Sequence, residues 1–111
     1  MLEVTIVGNH IKNHNLYQWL ALHNGHVIGY VYASLEPDNN CIKFFDAHVD
    51  EEYRRQGIYD KLWNARLEYF SKNKYSGWTM YSWCKQTSIN QFLKNNFEEG
   101  ETCTYVEKLI Q

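Results

Sequence analysis

The chain has 111 residues, a formal net charge of -2 from 11 basic and 13 acidic side chains, and 44% hydrophobic and 16% aromatic residues. That length suits one domain, read here as residues 1–111, and the composition excludes a disordered chain. The charge balance excludes a general nucleic-acid binder; no apolar run is long enough to span a membrane, and the first residues lack the charged-then-apolar pattern of a secretory leader.

Leu2 to Val7 alternates and is rich in β-branched residues, so it reads as a first strand, followed by a polar, turn-like stretch from Gly8 to Asn15. His10 and His14 have i, i+4 spacing there, but no acidic or cysteine partner stands nearby, so the expectation is a solvated loop and no metal site. Leu16 to His23 and His26 to Leu35 flank Asn24-Gly25, a pair that tolerates the positive φ angles of a type I′ hairpin turn. The aromatics of the arms (Tyr17, Trp19, Tyr30, Tyr32) are either core or a contact surface. After a loop holding the one proline, Cys41 to Val49 reads as a strand that stops at an acidic turn. Beyond Gly57, Ile58, Leu62, Ala65 and Tyr69 mark one helix row and Tyr59, Trp63, Leu67 and Phe70 a flanking one. Asp60, Lys61, Asn64, Arg66 and Glu68 are assigned to the polar face. Gly77 to Lys85 reads as a strand, Gln86 to Asn96 as a short helix, Glu98-Glu99-Gly100 as a turn, and Glu101 to Ile110 as a last strand. The order β-β-β-β-α-β-α-β predicts an α/β (α+β) layer of helices packed on a mixed sheet. Three cysteines without a CxxC pair read as reduced thiols in a cytoplasmic protein.

The organising stretch runs from Cys41 to Lys72: a strand, the loop Arg54-Arg55-Gln56-Gly57-Ile58-Tyr59, then a helix. Strand, basic glycine-bearing loop and helix N-terminus together place backbone N–H groups where an anionic phosphate can sit. The segment resembles the cofactor-binding motif of the GNAT superfamily of acyl-CoA-dependent N-acetyltransferases, in which a strand leads into Gln/Arg-x-x-Gly-x-Gly/Ala. Here the match is Arg54-x-x-Gly57-x, with Tyr59 at the small-residue position. The order of elements fits that fold, with a mostly antiparallel sheet, along nearly the whole chain. The one or two helices that relatives carry between the first two strands, a wall of their acceptor cleft, have no counterpart here.

The resemblance implies acetyl-CoA as co-substrate, with no metal. It places Ala47, His48 and Val49 beside pantetheine, and the loop amides of Arg54, Arg55, Gln56, Gly57, Ile58 and Tyr59 around the pyrophosphate, with Arg54 or Arg55 adding a charged contact. The motif's closing segment corresponds to Lys85-x-x-Ser88-x-x-Gln91-Phe92-x-Lys94-x-Asn96-Phe97, which adds Ser88 and Phe92 to the cofactor-binding residues. Phe92 stands where relatives often place a tyrosine that protonates the departing thiolate, and a phenyl ring has no such proton. For a base, Asp46 and His48 lie two apart on one strand and so on one face, and Tyr81 offers a replacement hydroxyl. Two functions follow: an N-acetyltransferase acting on an amine (a protein lysine, an N-terminus or a small amine) by direct attack, or a weakly active or inactive module that binds CoA or a partner protein and regulates it. Without the covering helices, pairing of two copies as a homodimer is a further expectation; neither nucleic acid nor membrane is expected as a partner.

Overall fold

The computed structural model describes residues 2–11, 14–84, 89–99 and 105–111. Seven strands form one sheet in the order β1-β2-β3-β4-β5-β7-β6: β1 Thr5–Ile11, β2 Leu16–His23, β3 His26–Glu36, β4 Cys41–Val49, β5 Thr79–Trp83, β6 Glu98–Glu99 and β7 Tyr105–Leu109. Every neighbouring pair is antiparallel except β4 and β5, which are joined by helix α1, Ile58–Phe70. A shorter helix, α2 (Ile89–Lys94), follows β5.

Asn24 and Gly25 make the two-residue turn between β2 and β3 with φ of 50° and 78°, the positive angles that glycine and asparagine accept most readily. The polar stretch that begins at Gly8 is strand and not turn as far as Ile11: β1 continues there, pairing Gly8 with Trp19 and Asn9 with Gln18, and a turn is described only at Asn15. Side-chain packing outweighs local polarity here. The His10 ring stacks on Tyr17 at 4.0 Å, and Gly8 leaves room for the Trp19 indole, 3.1 Å from where a Cβ would stand. His10 is therefore on an edge strand rather than a helix face shared with His14, and no group of metal-ligating side chains occurs among the described residues. Glu98 and Glu99, expected in a turn, pair with β7 as β6.

The alternation of β2 sends Tyr17, Trp19 and Ala21 to one face, where α1 meets them through Tyr69 and Phe70. Phe44, Trp63, Phe70, Phe92 and Phe97 make edge-on and tilted contacts at 4.7–6.1 Å, joining both helices to β4. One residue of α1 departs from its expected face. Arg66 is 2% exposed and lies in the core, on the line Ile58, Leu62, Arg66, Phe70 that repeats every fourth residue. The opposite sheet face has no helix among the described residues. It presents the half-buried Tyr30, Tyr32 and Phe45 together with His48.

Candidate active site: a cleft between two splayed strands

Two irregularities of the backbone make the site. The first is the divergence of the two parallel strands: β4 and β5 pair only through Cys41–Lys43 and Thr79–Tyr81, and then separate. The hydroxyl of Ser82 donates to the Phe44 carbonyl at 2.7 Å where the backbone ladder stops. The second is a bulge in β4. Val31 pairs with Ala47 and Tyr32 with Phe45, which leaves Asp46 as the extra residue, held at φ 45°. The bulge interrupts the alternation that would put Asp46 and His48 on one face. His48 instead lies against Tyr30, with ring centroids 5.5 Å apart.

The opening is a cavity of about 1230 Å³. Its wall combines residues of the helix-covered face (Phe44, Ile58, Arg66, Phe92) with residues of the open face (Phe45, His48), so the cleft passes through the sheet. Of the positions singled out from sequence, Asp46, Ala47, His48, Val49, Arg54, Arg55, Gly57, Ile58, Tyr59 and Phe92 all lie on this wall. Gln56 belongs to the same loop but not to the wall. Tyr81 is not on it either: its hydroxyl donates to the Glu36 carboxylate at 2.7 and 2.9 Å. Ser88 lies outside the described residues, as do Lys85 and Cys103.

At one end of the cleft the chain passes from β4 into α1. Gly57 is the N-cap of α1 at φ 78°, and Arg55 also adopts a left-handed conformation, at φ 64°. Lys61 is the first helical residue whose N–H is bonded within the turn, to the Gly57 carbonyl at 3.1 Å. The N–H groups of Arg55 through Asp60 donate to no other group among the described residues. These unpaired donors at a positive helix end fit an anion such as a diphosphate. Arg54 donates through Nε to the Val49 carbonyl at 2.8 Å and braces the end of β4, whereas Arg55, also exposed, makes no side-chain hydrogen bond among the described residues. Asp60 accepts from Gln91 at 3.1 Å and from Lys94 at 3.4 Å, which ties α2 to the first turn of α1 across the cleft.

On the side of the open face, His48 Nε2–H donates to Asp50 Oδ1 at 2.9 Å, leaving Nδ1 as an acceptor. Sequence reading passed over Asp50, although its i, i+2 spacing from His48 was visible. On the core side, Arg66 has two aromatic neighbours, its Cζ standing 4.0 Å from the Phe44 ring centroid and 4.4 Å from that of Trp63. Its Nη1 donates to the Tyr32 carbonyl at 3.0 Å, beside the bulge. Burial pulls its pKa down to about 9, with Tyr59 pushing the other way.

The sequence profile of the acetyltransferase (GNAT) family matches residues 3–99. The chain belongs to the GNAT acetyltransferase family. It is a short member of a family whose chemistry is acetyl transfer from acyl-CoA. No curated protein sequence matches it. Among solved structures it is similar to a GNAT-family acetyltransferase from Staphylococcus aureus, with 20% identity, a TM-score of 0.71, and coverage of 92% of this chain and 72% of that one. An acyl-CoA N-acyltransferase from Klebsiella pneumoniae, itself described as putative, superposes with a TM-score of 0.78 at 11% identity, covering 97% of this chain and 98% of the other. A GNAT-family N-acetyltransferase from Escherichia coli, crystallised with CoA, gives a TM-score of 0.75 at 16% identity, covering 100% of this chain and 83% of its own. These similarities establish the GNAT fold for this short chain.

Proposed function

We propose that the protein is an acetyl-CoA-dependent N-acetyltransferase that receives its cofactor from the helix-covered side of the sheet and its amine acceptor from the open side. The observation that carries this reading is the through-sheet cleft, which has a row of unpaired N–H groups at its mouth. Acetyl-CoA supplies an activated acetyl group as a thioester. The loop from Arg55 to Asp60 holds the diphosphate through its amides, and the exposed Arg55 guanidinium adds the charge-assisted contact. The β4 edge at Ala47, His48 and Val49 has no β5 partner and offers backbone groups to the pantetheine amides. His48 Nδ1 accepts the acceptor amine's proton, with Asp50 orienting the ring and stabilising the charge it acquires. Asp46, at the bulge, draws the cationic amine toward the same opening.

The open face supports an amine carried on a protein, because Tyr30, Tyr32 and Phe45 form a broad aromatic surface in place of an enclosed pocket. A second reading, a CoA-binding regulatory module with little turnover, draws support from Phe92. Its ring is packed edge-on to Trp63 at 4.7 Å and has no proton to give.

Calorimetric titration with acetyl-CoA, followed by CoA release in the presence of lysine peptides and small polyamines, tests both. Micromolar binding with release that is lost in His48→Ala supports the enzyme. Tight binding without release from any amine selects the module, and no binding at millimolar acetyl-CoA overturns both. Faster release with polyamines than with peptides overturns the protein acceptor alone.

A further inference from the structure

Arg66 is an expensive residue to keep where it stands. It is 2% exposed, and neither of the ion pairs among the described residues includes it. A buried charge without a counter-ion opposes folding, an effect partly offset here by the Phe44 and Trp63 rings, which lie at 69° to each other and flank the guanidinium. Its single hydrogen bond, Nη1 to the Tyr32 carbonyl, uses one edge of the fork. Nε is buried without a partner, as is the indole Nε1 of Trp63 beneath it. Five N–H donors therefore face one protein acceptor.

The place of that cation is informative. Arg66 is in the wall of the cleft, as are Phe44, Ser82 and Phe92. The Ser82 hydroxyl is committed to the Phe44 carbonyl, and Phe44 and Phe92 have no polar hydrogen. Trp63 neighbours both key positions, its ring centroid 4.7 Å from that of Phe92 and 4.4 Å from the Arg66 Cζ. Arg66 follows Ile58 by eight residues on α1, about 12 Å along the helix axis, a span that the arm of a thioester with its diphosphate at the loop could cover.

We propose that Arg66 is a catalytic residue whose guanidinium pairs with the sulfur of CoA as the thioester breaks, in the place where Phe92 supplies no acid. This inference rests on the acetyl-CoA reading above. The amine lone pair forms the new C–N bond, and the C–S bonding pair leaves on sulfur as a thiolate held by the Arg66 cation. The amine's proton goes to His48, and the thiolate takes a proton from water after release. The guanidinium transfers no proton, so its contribution is charge placed in advance in a low-dielectric wall.

The test compares the wild type with Arg66→Gln, which keeps a donor for the Tyr32 carbonyl but loses the charge, and Arg66→Lys, which keeps the charge. CoA and its desulfo analogue are titrated into each, and the thiol of bound CoA is followed across pH by thiolate absorbance. In the wild type the bound thiol is expected to ionise about one pH unit lower than free CoA, with Arg66→Lys keeping part of the shift and Arg66→Gln none. Turnover in Arg66→Gln is expected to fall about a hundredfold, with the KM for acetyl-CoA changed by less than about threefold. A bound thiol that ionises like free CoA in the wild type overturns the proposal, even if a variant fails to fold. So does a shift retained in Arg66→Gln. If neither CoA nor its desulfo analogue binds, the acetyl-CoA reading itself has failed, and this inference with it.

Discussion

Arg54 and Arg55 are adjacent and equally charged, yet the backbone gives them different work. Arg54 turns back to the Val49 carbonyl, whereas Arg55, at φ 64°, is exposed beside the unpaired loop amides. Arg55→Glu is therefore expected to weaken acetyl-CoA binding by about 1.5–3 kcal/mol, and calorimetry measures it. An unchanged affinity shows that Arg55 meets no phosphate. Cys41 offers a prediction in pH. Burial pushes its thiol pKa up, and Glu36 and Glu107 add to the effect. A raised pKa leaves less thiolate at any given pH, so alkylation of Cys41 should be slow at neutral pH and still accelerating above the ordinary thiol value of about 8.5. Peptide mapping of labelled protein reads that rate, and a plateau before that pH contradicts it. Both arginines and Cys41 were legible as side chains in the sequence. Their roles were not, because each role depends on which carbonyl or carboxylate stands nearby.

At the scale of elements, β4 and α1 decide whether the cleft exists. α1 lies close over β3 at Gly29: a Cβ there would stand 3.0 Å from the His48 carbonyl and 3.3 Å from Leu62 and Val49. Gly29→Val has to push β4 and α1 apart, with an expected cost of about 1–3 kcal/mol in a denaturant titration. Because the displaced carbonyl belongs to the strand lining the cleft, acetyl-CoA affinity should fall as well. The bounds of β2 and β4 were readable to the residue, since alternation and turn residues agree there. The bulge at Asp46 was not, because one inserted residue leaves the apolar pattern of Cys41 to Val49 nearly unchanged while turning everything after it. Arg66 was misassigned for a related reason. Its charge argued for the polar face, although its position every fourth residue from Ile58, Leu62 and Phe70 placed it inside.

The whole molecule rests on one layer of helices over one face of the sheet, with no helix on the opposite face among the described residues. Phe44 stands at the centre of that arrangement, fully buried against Trp63, Phe70 and Phe97 under the Arg66 cation. Phe44→Ala is expected to cost about 3–5 kcal/mol, a large share of a typical domain's 5–15 kcal/mol, and to lower the thermal midpoint accordingly. A change within error would mean that the core collapses around the missing ring. The sequence by itself determined the order of elements apart from the two-residue β6, the hairpin turn and the glycine-bearing loop that opens α1, because each follows from local residue spacing: two-residue alternation, a fourfold helical repeat, and an Asn-Gly or Arg-x-x-Gly signal. Only the tertiary structure decided that β1 runs on through its polar half, that the cleft opens through the sheet, that Asp50 joins His48, and that Arg66, with no counter-ion among the described residues, lines the cleft wall. Those features come from residues distant in the chain brought together by the pairing of strands and the packing of α1, and no local pattern encodes such a meeting.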